Sequence, residues 1–162
     1  MLGRIFPKQI DNNYRGHWLA IWLLLLVVAL KATQGVESIG NTRDVATTAD
    51  GISLDGFTAA GTDLVLGLFA LLGLYLLVIP LQSLLVLIRY RAMIPLMYLY
   101  LLIVYAGGRM IALMHPIPRS GDQAMGFAGH PIGFHVNLAI LGVTLIGFAL
   151  SLYNKTESPR QE

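Results

Sequence analysis

The chain has 162 residues, 56% hydrophobic and 12% charged, with no cysteine and a formal net charge of +2. A soluble domain usually carries about 25% charged residues, and together with a mean hydropathy of +0.67 this points to helices that face lipid. The composition excludes disulfides, thiol catalysis, iron–sulfur ligation and thiolate zinc sites, and the dispersed basic residues give no footprint for nucleic acid.

Length and segmentation predict one all-α integral membrane domain, an up-down-up-down bundle of four transmembrane helices at about 17–36, 63–88, 92–114 and 132–153. Residues 1–16 are a polar, basic segment with Arg4, Lys8 and Arg15. The twenty residues of His17–Val36 span about 30 Å at 1.5 Å per residue, the hydrocarbon thickness. Tyr14, Trp18 and Trp22 suit an interfacial aromatic belt. A basic start before an apolar core also fits a cleaved signal peptide. A cut after Ala32 would leave Leu30 and Lys31 just before it, a poor cleavage site, so a retained helix is expected.

Glu37–Thr62 reads as a polar loop with four acids and one arginine, with turn signals at Asn41-Thr42 and Asp50-Gly51. Asp55 or Thr62 is the expected cap of the second helix, and Asp63 would favour the positive end of its dipole. Pro80 lies within that helix and should kink it. The connection Arg89-Tyr90-Arg91 makes the second and third helices antiparallel neighbours. The third helix carries Pro95 in its first turn, where proline is tolerated. It is followed by the Pro- and Gly-rich loop His115–Pro131, the fourth helix, and a polar tail at 154–162.

Lysine and arginine predict the orientation. Arg4, Lys8, Arg15, Arg89, Arg91, Lys155 and Arg160 fall on the side of the termini, against Lys31, Arg43, Arg109 and Arg119 on the other. Both termini are therefore expected in the cytoplasm. On the fourth helix, Phe134, Leu138, Leu141, Leu145, Phe148 and Leu152 form a ridge suited to lipid. Gly133, Asn137, Ile140, Thr144, Gly147 and Ser151 form a small, polar ridge suited to helix packing. A further small face, with His135, Ala139, Gly142 and Ala149, suggests a second partner.

Polar groups gather at the outer ends of the helices. Lys31, Glu37, Tyr105, Arg109, His115 and His135 are the candidate ligand-binding residues, since a cation, imidazoles and a phenol there could hold a lipid phosphate or a quinone oxygen. Lys31 shares a face with Gln34 and is expected to snorkel outward. Arg109 is expected either to snorkel or to form a structural ion pair with Glu37 or Asp63. His115 and His135 end and begin adjacent helices, which admits haem ligation, although interfacial hydrogen bonding explains them as well. His130 reads as a loop residue. No Ser–His–acid set, phosphate loop or HExxH motif occurs, so no catalytic or metal-ligating residue is assigned.

Ala59-Ala60-Gly61 leads into Leu66-Gly67-Leu68 in the second span, and Gly107-Gly108-Arg109 is followed by Pro116 and Pro118 at the end of the third. Across Trp18–Tyr153 this layout resembles the DoxX-like families of small four-helix bacterial inner-membrane proteins. The resemblance implies a membrane partner of oxidoreductases, including quinone-linked ones, and carries over one position, Arg109. The expected protein is a multi-pass inner-membrane accessory subunit in contact with lipid, a homo-oligomer or a partner protein. The alternative is a quinone- or lipid-binding, redox-associated protein. A small oligomeric transporter is a further reading, weakened by a membrane centre nearly free of charge.

Overall fold

Long leucine-rich runs form helices here because lipid satisfies no backbone N–H or carbonyl, so the segment must bond to itself. The computed structural model describes residues 2–115 and 132–153. Its four long helices are α1 (Trp18–Gly40), α2 (Ala59–Arg89), α3 (Ile94–Met114) and α4 (Ile132–Leu152). Each is long and apolar enough to cross a membrane, and the protein is an all-α, multi-pass membrane protein. One end of the bundle carries the N-terminal segment and the end of α4. At the other, the loop end, α1 leads into residues 41–58, α3 ends and α4 begins.

Helix α1 is the centre of the bundle. It packs along α2 on one side and α4 on the other, while α3 packs on α4 and touches α2 much less. The buried stripe of α1 runs Ala20, Leu24, Val27, Val28, Lys31, Gly35 and Ser38, steps of three and four that keep one face inward. Glycines set the α1–α2 crossing. A Cβ at Gly35 would stand 3.1 Å from the Gly73 carbonyl oxygen, and one at Gly73 would stand 2.8 Å from Ser38 Cβ. Backbones approach this closely only where side chains are missing.

The main core lies in the half nearer the termini, where Leu24, Val27, Ile94, Tyr98, Leu101 and Ile140 are buried together. Tyr98 fastens three helices. Its hydroxyl donates to the Ala20 carbonyl of α1 at 2.6 Å, and its ring lies where any side chain at Gly147 of α4 would stand. The small ridge of α4 is its buried face, with Ile140, Thr144, Gly147 and Ser151 enclosed.

Several boundaries differ from the sequence expectation. Helix α1 continues past Val36 to Gly40, because Gly35 and Ser38 still lie on the face held by α2. The following turn, Thr42–Asp44, and a wider π-turn, Val45–Ala49, fold back over the bundle. There Ala46, Ile52 and Leu54 pack against Val65, Leu66 and Phe69 of α2. The loop is thus a small apolar cap rather than a solvated strand of chain. Helix α2 starts at Ala59, and its cap is Thr58, whose Oγ1 accepts from the Gly61 N–H at 3.2 Å, not Asp55 or Thr62. Asp63 falls in the second turn and is exposed. The helix runs unbroken through Pro80, and α3 begins at Ile94 after a 3-10 turn at Arg91–Met93.

The N-terminal segment is docked under the bundle. Arg4 Nη1 donates to the Leu152 carbonyl at 2.7 Å. The His17 N–H bonds the Leu150 carbonyl at 3.1 Å, and the Ala92 N–H bonds the Asp11 carbonyl at 3.2 Å. The first two of these bonds use free carbonyls at the end of α4 that a lipid interior could not satisfy.

Candidate functional site: a buried lysine cluster

Lys31 occupies the register position of the buried stripe of α1, between Val28 and Gly35. It stands nine residues before Gly40, about 14 Å along the helix from its loop end at 1.5 Å per residue. The side chain is only 7% exposed, so it turns into the bundle instead of snorkelling. An ammonium has three donors, and each has a neighbour. Nζ donates to Gln34 Oε1 at 2.7 Å, one turn on in the same helix. It donates to Asn137 Oδ1 of α4 at 3.0 Å. It also lies 4.7 Å from the centroid of the Tyr105 ring of α3. A quadrupolar ring face and two amide oxygens are acceptors without formal charge.

The Asp50 carboxylate also acts electrostatically on the ammonium. Asp50 sits at the close of the π-turn and rests on the first turn of α4. A Cβ at Gly133 would stand 2.9 Å from Asp50 Oδ1 and 2.9 Å from the Ala49 carbonyl oxygen. Glycine at 133 therefore lets the connection settle against the positive end of the α4 dipole, where an acid is favourable. Lys31 thus joins α1 to α3 and α4, and the folded connection adds its field from above.

The other candidates divide. Tyr105 belongs to the cluster, and its hydroxyl is buried with no hydrogen-bond partner among the described residues. Arg109 lies nearer the loop end, exposed, with Cζ 4.7 Å from the Phe134 ring centroid. Phe134 also meets the His135 ring edge-on, with centroids 5.4 Å apart. The expected pairing of Arg109 with Glu37 or Asp63 is not formed among the described residues. Glu37 is exposed and accepts from Asn41 Nδ2 at 2.6 Å. The reason is geometric: α3 packs on α4, so Arg109 faces α4 and not the helices that carry the two acids. His115 ends α3, exposed, and stands apart from the cluster. His130, Pro116, Pro118 and Arg119 lie outside the described residues, as does the tail at 154–162.

Chemically, the arrangement holds a positive charge at depth by neutral acceptors. Three buried hydroxyls elsewhere in the spans are spent on their own helices: Ser83 donates to the Ile79 carbonyl, Thr144 to Ile140 and Ser151 to Phe148. They form no polar track across the bundle. Among the described residues no group of three or more His, Asp or Glu side chains is placed to hold a metal ion. The bond between Lys31 and Asn137 is not legible in the sequence, which gathers polar residues at the outer helix ends but does not show which helix faces Lys31. The available signal was the phase of Lys31 with Leu24, Val27 and Val28. No protein-family model, curated protein or solved structure matches the chain.

Proposed function

We propose that this membrane protein is a non-catalytic partner subunit of the bacterial inner membrane that receives another membrane helix against the loop-end half of α3. The observation that carries this reading is the bare glycine pair. Gly107 and Gly108 lie inside α3, and no atom of the described residues stands within 4 Å of a Cβ built at either. Each glycine costs a helix about 0.8–1.0 kcal/mol relative to alanine. Gly35, Gly73 and Gly147 recover that cost through close packing within the chain. Gly107 and Gly108 recover nothing here, whereas a partner helix could approach them closely. The DoxX-like layout supports the same role. The excess of basic residues on the side of the termini supports a cytoplasmic N- and C-terminus.

The experiment is purification from native membranes in mild detergent of the wild type and a Gly107→Leu/Gly108→Leu chain. The double substitution should leave thermal stability equal or higher and abolish association with a partner or a second copy. A chain that runs alone, or associates unchanged after the substitutions, refutes the reading.

A second reading has its own observation. Arg109 stacks on Phe134 and has no hydrogen-bond acceptor among the described residues. A guanidinium so placed could take a quinone carbonyl or lipid phosphate. Extraction of the purified protein for quinone and lipid, with and without Arg109→Gln, tests it. A transporter has less support, since the buried hydroxyls of Ser83, Thr144 and Ser151 are bonded within their own helices.

A further inference from the structure

The end of the bundle nearer the termini contains a feature that the function above does not use. A cavity of about 370 Å³ lies between the docked N-terminal segment and the ends of α3 and α4. Ligand sites run from about 300 to 1,000 Å³. Arg4, Lys8 and Arg15 line it with a single acid, Asp11. Asp11 is already engaged, since its Oδ1 accepts from the Asn13 N–H at 3.1 Å. Arg4 uses one donor on the Leu152 carbonyl, and the rest of its fork has no partner among the described residues. Tyr14 lines this cavity and a second one beside it, which reaches Trp18 and Ile21 of α1. The Tyr14 hydroxyl is buried with no hydrogen-bond partner among the described residues. Burial pushes its pKa up, so it remains a proton donor through the physiological range.

The level of the cavity identifies the class of ligand. Pro95 opens α3 and Ser151 closes α4, and both border the space, so it lies at the headgroup plane. Trp18 is exposed at the start of α1, as are Phe6 and Ile10 on the docked segment. Aromatic and apolar groups at that level meet the acyl boundary. A basic hollow opening beside apolar side chains at the membrane surface fits a lipid with a negative headgroup. We propose that this cavity binds the phosphate of an anionic phospholipid, held by Arg4, Lys8 and Arg15, with its acyl chains directed along Trp18 and Ile21.

The test uses the full chain in detergent, with tryptophan fluorescence and melting temperature as readouts. Short-chain phosphatidylglycerol, phosphatidylcholine and inorganic phosphate are titrated separately. Phosphatidylglycerol should bind saturably, at least about tenfold tighter than phosphatidylcholine. The chain with Lys8→Gln and Arg15→Gln, both exposed side chains, should lose about tenfold in that affinity while melting normally without lipid. Arg15→Gln alone should lose part of it and serves if the double variant misfolds. Equal affinity in wild type and variants overturns the site, as does equal binding of the two lipids. Tight binding of inorganic phosphate alone, with the same dependence on Lys8 and Arg15, overturns the lipid and leaves a small-anion site.

Discussion

The bond between Lys31 and Asn137 can be broken from either side, and the two results should differ in sign. Asn137→Leu removes one of the two oxygens that hold the ammonium. A hydrogen bond to a charged group is worth about 1.5–3 kcal/mol in soluble proteins. Interhelical bonds in membranes average about 0.6 and reach about 1.7 kcal/mol, because the unfolded chain in lipid finds other partners. Gln34 and Tyr105 stay in place, so a loss of about 1–2 kcal/mol is expected. Lys31→Met leaves two amide oxygens unpaired, at about 1 kcal/mol each. It also removes a buried cation, which costs about 2.5–3.5 kcal/mol at a helix centre and less toward an end. The single change should therefore be neutral or stabilising by up to about 1 kcal/mol. In the Lys31→Met background, Asn137→Leu no longer strands a charge and removes an unpaired amide, so it should stabilise by about 1 kcal/mol. A double-mutant cycle measured by equilibrium unfolding in mixed micelles should give a coupling of about 2–3 kcal/mol. Additivity within about 0.5 kcal/mol would refute the cluster as an energetic unit.

Tyr98→Phe keeps the ring on Gly147 and loses only the bond to the Ala20 carbonyl, so it should destabilise by about 1 kcal/mol. Gly147→Ala places a methyl group where that ring lies and should cost about 1–3 kcal/mol; a neutral or stabilising Gly147→Ala would deny the close approach of α3 and α4. Arg109→Gln should cost the isolated chain about 0.5–1 kcal/mol, the value of the contact with Phe134. A larger loss, recovered on removing Glu37 or Asp63, would establish an ion pair after all. Because the folded-state pKa of Tyr14 is raised above the ordinary 10.0, its contribution is fully present below pH 10 and declines as pH rises through the folded value. Tyr14→Phe should accordingly weaken alkaline denaturation, read from melting curves between pH 8 and pH 12.

The four spans were legible because a lipid-facing helix announces itself by unbroken hydropathy, which needs no knowledge of neighbours. The boundaries were less so. Residues 37–40 and 59–62 carry polar or small side chains that look like loop, yet Ser38 and Thr62 are buried against facing helices. Which helices touch was not legible. The short connection from α2 to α3 made them neighbours in chain, but α1 and α4 take most of the packing. The expected pairing of Arg109 with Asp63 therefore does not form among the described residues. By residue type Lys31 belongs at the membrane surface. Its phase within the stripe of α1 places it inside, and phase outweighs type once acceptors such as Asn137 face it.

The open half of α3 constrains what can lie against it. Arg109 is about 8 Å from the end of the helix, five residues before Met114 at 1.5 Å each. A partner helix seated on Gly107 and Gly108 would strip water from the neighbouring guanidinium. An uncompensated buried charge costs about 3–5 kcal/mol, enough to cancel the gain from close packing. The partner must therefore present a carboxylate within a turn of the crossing, in a geometry that accepts both prongs of the fork. Lysine cannot reproduce that bidentate contact. Arg109→Lys should then weaken association by at least about tenfold, and Arg109→Leu should do the same while costing the isolated chain no more than about 0.5–1 kcal/mol, the value of the lost contact with Phe134. If this face meets only lipid, the arginine snorkels, lysine replaces it without loss, and association measured by crosslinking in native membranes is indifferent to both substitutions. That last result would remove the partner helix from α3 and leave Arg109 as a surface anchor.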